Sequence, residues 1–293
     1  MKNTLKCQGL TKVYKKNTVV NNIDLELEPG KIYGLIGRNG AGKTTLMSML
    51  TAQNPPSSGS VTFDGMPVWE NEKALSHLSF IRECESTYNA GMNPFKIKEY
   101  LKVAAMYLPH WDASMAENLL KKFKLDPKKK ISRLSKGQTS MVTILTALAS
   151  RAEFTFLDEP AAGLDAIARQ ELYHLLLEEK EEMGRTFVMS THIIEEAKDV
   201  FDEVIFMKQG KLLLKEKTED LLERCVHVSG RAEAVEKAVS GMEVHGKESF
   251  GRTMGVTVLL APGERIPEQG ELTVQHMNLE HIFTALCGEE EAE

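Results

Sequence analysis

Apolar residues recur at Val19, Ile23, Leu25 and Leu27, and the run stops at Pro29-Gly30. Alternation closed by a turn dipeptide predicts a strand buried on one face. Ile32 to Ile36 predicts a short buried strand, followed by a Gly-rich turn and a helix from about Gly42. Phe154-Thr155-Phe156-Leu157 is an almost unbroken apolar run, the mark of a strand covered on both faces. Thr186 to Met189 and Val204 to Met207 repeat it, with helices predicted at Asp165–Met183 and Ile193–Val200 between them. Lys96–Tyr107 and Ala113–Lys124 also predict helices, separated by Pro109, and Ser135–Ser150 predicts a strongly amphipathic one. Strands alternating with helices imply the α/β class, with a parallel sheet whose functional edge lies at the strand carboxyl ends. The segment 84–134 is helix-rich, carries no strand signal and reads as an insert.

Charge divides the chain of 293 residues. Lys and Arg number 36 and Asp and Glu 42, a net of −6. Residues 1–224 hold 31 basic and 30 acidic side chains, whereas residues 225–293 hold 5 and 12. The acidity therefore sits in the last segment, and a boundary near 218–226 follows, with Thr218 as the expected N-cap of a helix over Glu219–Arg224. Beyond it, helices at Ala232–Ser240 and Leu279–Leu286 and strands at Gly255–Leu260 and Glu271–Gln275 predict a small α/β appendage, 225–293, beside a main unit, 1–224.

The apolar fraction of 42 % excludes disorder as the main state, and the charge balance excludes a generic basic nucleic-acid binder. The uncharged stretches Gly137–Ser150 and Thr44–Phe63 are too polar or too broken to span a bilayer, and Met1–Lys6 lacks the apolar core of a signal peptide. Cys7, Cys84, Cys225 and Cys287 stand alone without CxxC spacing, which fits reduced thiols better than zinc or disulfides. His276 and His281 lie five apart and do not form a helical metal pair.

One motif carries chemistry by its own spacing. Gly37-Arg38-Asn39-Gly40-Ala41-Gly42-Lys43-Thr44 fits GxxxxGK[ST], after a predicted strand and at the start of a helix. The glycines let the backbone close around phosphate, and successive N–H groups point at the anion. Lys43 is the mobile charge for β- and γ-phosphates, and the Thr44 hydroxyl is a hard oxygen for Mg²⁺. The binding set extends to Thr45. Asp158 then emerges from the strand 154–157 to orient the metal shell, and Glu159 beside it can polarise an attacking water.

Together with Leu134-Ser135-Lys136-Gly137-Gln138, which resembles the LSGGQ signature, these residues resemble the ATP-binding subunit of ABC transporters. The resemblance covers about residues 3–224. It implies the ABC-ATPase form of the P-loop NTPase fold: a parallel core sheet, an antiparallel β subdomain and a helical insert. It implies that Ser135, Gly137 and Gln138 act on ATP held by a second subunit, so that two nucleotides lie in a head-to-tail homodimer, or a heterodimer with a related subunit. Lys136 departs from the signature by replacing its middle Gly. Ala161–Asp165 resembles the loop that crosses that dimer interface. His192 matches the switch histidine at the γ-phosphate, and Tyr14 matches the aromatic that stacks on adenine. Asn278–Phe283 resembles a terminal motif of export-type subunits.

The family usually places a Gln after the strand that follows the cradle. Here no Gln occurs between Gln53 and Gln138, and Glu83 takes its place as an expected Mg²⁺ ligand. The implied function is ATP hydrolysis that powers translocation, of the export type, through a separate integral-membrane permease. The implied location is cytoplasmic, at the inner face of the cell membrane, with ATP and Mg²⁺ as cofactors and no nucleic acid as partner. Two alternatives stay open: a soluble ABC-type ATPase that remodels a protein complex, and a non-hydrolysing switch.

Overall fold

The structure is a computed structural model that describes residues 3–82, 95–261, 263–267 and 272–288. The first part of the chain forms β1 (Leu5–Tyr14), β2 (Asn17–Leu27), β3 (Ile32–Gly37), α1 (Lys43–Leu50), β4 (Ser58–Phe63), β5 (Met66–Pro67), α2 (Glu72–Leu75) and β6 (Leu78–Ile81). Three helices follow, α3 (Ile97–Tyr107), α4 (Ala113–Lys122) and α5 (Lys136–Ala149). Then come β7 (Phe154–Leu157), α6 (Ala166–Met183), β8 (Thr186–Ser190), α7 (Ile194–Ala197), β9 (Glu203–Lys208), β10 (Lys211–Lys217) and α8 (Thr218–Arg224). The last part holds β11 (Cys225–Arg231), α9 (Ala232–Ala238), β12 (Glu243–Phe250), β13 (Thr253–Leu259), β14 (Leu272–His276) and α10 (Leu279–Cys287).

The central sheet runs β10-β9-β3-β8-β7-β6, parallel from β9 to β6 with β10 antiparallel at one edge. Period-two side chains split its strands between two cores. Ile32, Ile36, Phe187, Met189, Val204 and Phe206 face one cluster, with α5 and α6. Tyr33, Leu35, Val188, Ile205 and Met207 face the other, with α1 and the antiparallel sheet β2-β1-β4-β5. Both faces are covered, which is why β3, β7 and β8 are buried throughout.

Register sets the functional edge. Leu35 of β3 pairs with Ser190 of β8, and Leu157 of β7 pairs with Met189. The residues that leave β3, β7 and β8 therefore emerge together at one end of the sheet. The helical insert contributes α3 and α4, and α3 exposes Met106 and Tyr107.

The third sheet, β12-β13-β11-β14, is wholly antiparallel and covers α9 with its own apolar cluster. Here β11 and β12 add to the two strands expected from the sequence. β12 reads Glu-Val-His-Gly-Lys-Glu-Ser-Phe and is almost entirely exposed, so it carries no alternation to recognise. The division at 224/225 falls between the second and third sheets, yet α10 crosses back. Its Leu279 and Ile282 are fully buried in the same cluster as Ile194 and Ala197 of α7, and Phe283 stacks edge-on against Phe206.

Thr218 is not the N-cap of α8, a correction to the sequence expectation. It is the first helical residue, buried, and its N–H donates to Asp202 O at 3.0 Å, so the cap position falls on Lys217. Among the described residues no helix is long and apolar enough to cross a membrane.

Candidate functional site

The loop between β3 and α1 is shaped by its glycines. Gly42 has φ of 102°, and a Cβ there would lie 2.6 Å from Val19 O. Only glycine fits both conditions. The N-terminus of α1 takes no side-chain cap, so its N–H groups remain donors toward the loop interior. Arg38, Asn39 and Gly40 are exposed at the rim, Ala41 and Gly42 are buried, and Thr44 and Thr45 are half-buried. The Lys43 ammonium is buried and donates to Gly37 O at 2.6 Å, curling into the same loop.

Thr44, Asp158, Ser190, Glu159 and His192 form one chain of hydrogen bonds. Thr44 Oγ1 donates to Asp158 Oδ2 at 2.6 Å, and Ser190 Oγ donates to Asp158 Oδ1 at 2.7 Å. Ser190 Oγ also accepts from the Glu159 N–H at 2.9 Å. Glu159 has φ of 48°, a left-handed turn that swings its carboxylate out of the strand line. There Glu159 Oε2 meets His192 Nδ1 at 2.5 Å. The structure thus joins four residues singled out from the sequence and adds Ser190. The signal for Ser190 was a hydroxyl closing a buried strand, legible only once β8 is in register with β3.

Two hard oxygens, the Thr44 hydroxyl and the Asp158 carboxylate, meet beside a loop that packs too closely on β2 to admit a Cβ at Gly42. That donor set fits Mg²⁺, and the uncapped helix end with Lys43 fits a polyphosphate. Among the described residues no three His, Cys, Asp or Glu side chains are grouped so as to hold a metal ion. Glu83 lies outside the described residues.

The signature segment begins α5. Ser135 caps it, accepting from the Gln138 N–H at 3.2 Å, and Gln138 Oε1 accepts from the Ser135 N–H at 3.3 Å and from Lys129 Nζ at 2.8 Å. Ser135 O accepts from the Thr139 N–H at 2.9 Å and from Thr139 Oγ1 at 3.1 Å, and among the described residues none of these bonds reaches the Lys43 loop. Gly137 sits against the 161–165 loop, where a Cβ would lie 2.8 Å from Gly163 O. Tyr14 ends β1 with its ring nearly half exposed; its hydroxyl accepts from Asn54 Nδ2 at 2.5 Å and Lys12 Nζ lies 5.1 Å from the ring centroid.

Residues 20–162 match the family described as "ABC transporter". The chain is 33 % identical over 213 residues to the lantibiotic transport ATP-binding protein SrtF of Streptococcus pyogenes, covering 72 % of this chain and 90 % of that one. It is 28 % identical to the Nod factor export ATP-binding protein I of Cupriavidus metallidurans, covering 98 % of both. Its fold is similar to that of a dimeric, post-hydrolysis ATP-binding cassette bound to ADP and phosphate, with a TM-score of 0.64 at 23 % identity, over 73 % of this chain and 98 % of that one.

Proposed function

The chain belongs to the ATP-binding subunits of ABC transporters, and from that premise we propose that it hydrolyses ATP to drive export through a separate membrane permease. The observation that carries this reading is the hydrogen-bonded chain from Thr44 through Asp158 and Ser190 to Glu159 and His192, beside the Lys43 loop. A relative named for lantibiotic transport supports the transport role, and one named for Nod factor export supports the direction.

ATP binding draws the Lys43 ammonium from the Gly37 carbonyl onto phosphate oxygens, while the loop N–H groups and the start of α1 hold the rest of the anion. Thr44 and Asp158 would hold Mg²⁺, which supplies charge neutralisation on the phosphates. Glu159 takes the proton of the attacking water as general base. His192 orients that carboxylate before ATP is in place and then faces the γ-phosphate. Tyr14 offers its exposed ring to adenine.

Ser135, Gly137 and Gln138 complete the site of a second copy, or of a related subunit. The exposed start of α5 supports that role, since it is turned to its own cap and not to its own Lys43 loop. The permease docks on the insert, where Met106 and Tyr107 stand exposed, and so holds the chain at the inner membrane face.

The test is steady-state ATPase activity with Mg²⁺ for the wild type, Lys43→Ala and Glu159→Gln. Activity lost in both variants is expected, with ATP binding kept in Glu159→Gln. Undiminished turnover in Glu159→Gln would remove the catalytic assignment.

A further inference from the structure

The segments that carry Glu159, Ser135 and His192 are all tied to one loop, Ala161–Asp165, which continues from the Glu159 turn. On one side Ser140 Oγ of α5 donates to Ala162 O at 2.7 Å. On the other, Arg169 in the first turn of α6 donates from Nη1 to Leu164 O at 2.7 Å. The same guanidinium forks onto Glu196, Nε to Oε2 at 2.5 Å and Nη2 to Oε1 at 2.8 Å. Glu196 lies on α7, which begins two residues after His192. One rigid side chain therefore spans from the loop after the general base to the helix after the histidine.

We propose that Arg169 is a positioning residue for phosphoryl transfer: it fixes the Ala161–Asp165 loop, and with it the Glu159 turn, against the helix that follows His192. This rests on the ATPase reading above. Three donors in one plane satisfy a carbonyl and a carboxylate at once; a lysine, with a single nitrogen, cannot hold both in the same geometry. The need for such a tie is visible at Glu159 and His192, whose 2.5 Å contact joins two separate segments and depends on how both are held. The neighbouring Tyr173, four residues along α6, is buried, and among the described residues its hydroxyl has no hydrogen-bond partner. It offers a control that alters the same interface without removing a hydrogen bond of the tie.

The experiment compares the full chain with Arg169→Lys, Glu196→Gln and Tyr173→Phe, reading kcat, the KM for ATP and the melting temperature. Arg169→Lys should lower kcat roughly tenfold or more, as expected when reacting groups are misplaced by a fraction of an ångström. Its KM should stay within about twofold, because the phosphate loop is untouched. Glu196→Gln keeps an acceptor oxygen and should lose less, and Tyr173→Phe should turn over like the wild type. Wild-type kcat in Arg169→Lys overturns the inference, as does a loss that tracks a fall in melting temperature or an equal loss in Tyr173→Phe. A wild type that hydrolyses no ATP, or a fully active Glu159→Gln, overturns the ATPase reading instead.

Discussion

The Ser190 hydroxyl donates to the Asp158 carboxylate at 2.7 Å and so ties the end of β8 to the end of β7. The same oxygen accepts from the Glu159 N–H. One small side chain thus fixes the adjoining acids, the first proposed above as a metal holder and the second as the general base. Ser190→Ala leaves a carboxylate oxygen and an N–H without this partner, a cost of about 1–3 kcal/mol. The expected outcome is a kcat lower by roughly tenfold to hundredfold with little change in ATP affinity, checked by steady-state kinetics beside nucleotide titration.

Gly137 tests the signature segment by shape. A Cβ there would lie 2.8 Å from Gly163 O, a backbone atom that cannot turn aside. Gly137→Ala should push α5 off the 161–165 loop. ATP binding to the Lys43 loop should survive, while hydrolysis falls by roughly tenfold or more; nucleotide binding and turnover measured on the same sample separate the two.

Arg185 is a buried anchor between the end of α5, the start of β7 and α6. Its side chain is 4 % exposed, and it donates to Ala147 O, Leu148 O, Ala152 O, Thr155 Oγ1 and Glu179 Oε2. Glu179 in turn takes Arg151, which forks onto Asp112 at the start of α4. Burial pulls the Arg185 guanidinium down from its ordinary value, and the Glu179 charge opposes that pull. Arg185→Met should destabilise by about 3–5 kcal/mol, because Glu179 and three helix-end or turn carbonyls lose a donor. Urea unfolding of the single variant and of Arg185→Met with Glu179→Met checks this; the double variant should recover part of the loss.

The three described thiols are buried. Burial raises Cys7 and Cys225 from 9.0 to about 12 and Cys287 to about 11. A folded thiol that holds its proton longer than the unfolded one favours the folded state fully below pH 9.0. That advantage is lost as pH rises from the unfolded value toward the folded ones. Stability should therefore fall above pH 9, and alkylation of these thiols at pH 8 should be slow in the native chain and fast in urea. Mass spectrometry of timed alkylation reads both rates.

Much of the site was legible because its chemistry is local. The spacing Gly37–Thr44, the apolar strand before Asp158, and the Ser135 cap of α5 each depend on residues a few positions apart, where backbone sterics and helix-end hydrogen bonding act. The same holds for β3, β7 and β8, whose unbroken apolar runs follow from cover on both faces. β12 was invisible for the opposite reason: a polar edge strand is stabilised by pairing with β13 and shows almost no burial in its own residues. Thr218 misled because a hydroxyl before an acidic turn looks like a cap, while its burial and the bond from its N–H to Asp202 O decided its place.

The amino-acid order alone determined that a GxxxxGK[ST] loop lies at Gly37–Thr44 between a strand and a helix, that acids follow at Asp158 and Glu159, and that helices separate parallel strands. Tertiary structure alone decided that Ser190 bridges those acids, that Arg169 joins Leu164 to Glu196, and that α10 returns to pack on α7. The reason is range. Turn sterics and helix caps act within a few residues, whereas sheet register and side-chain forks connect positions tens of residues apart, and the chain must fold before those positions meet.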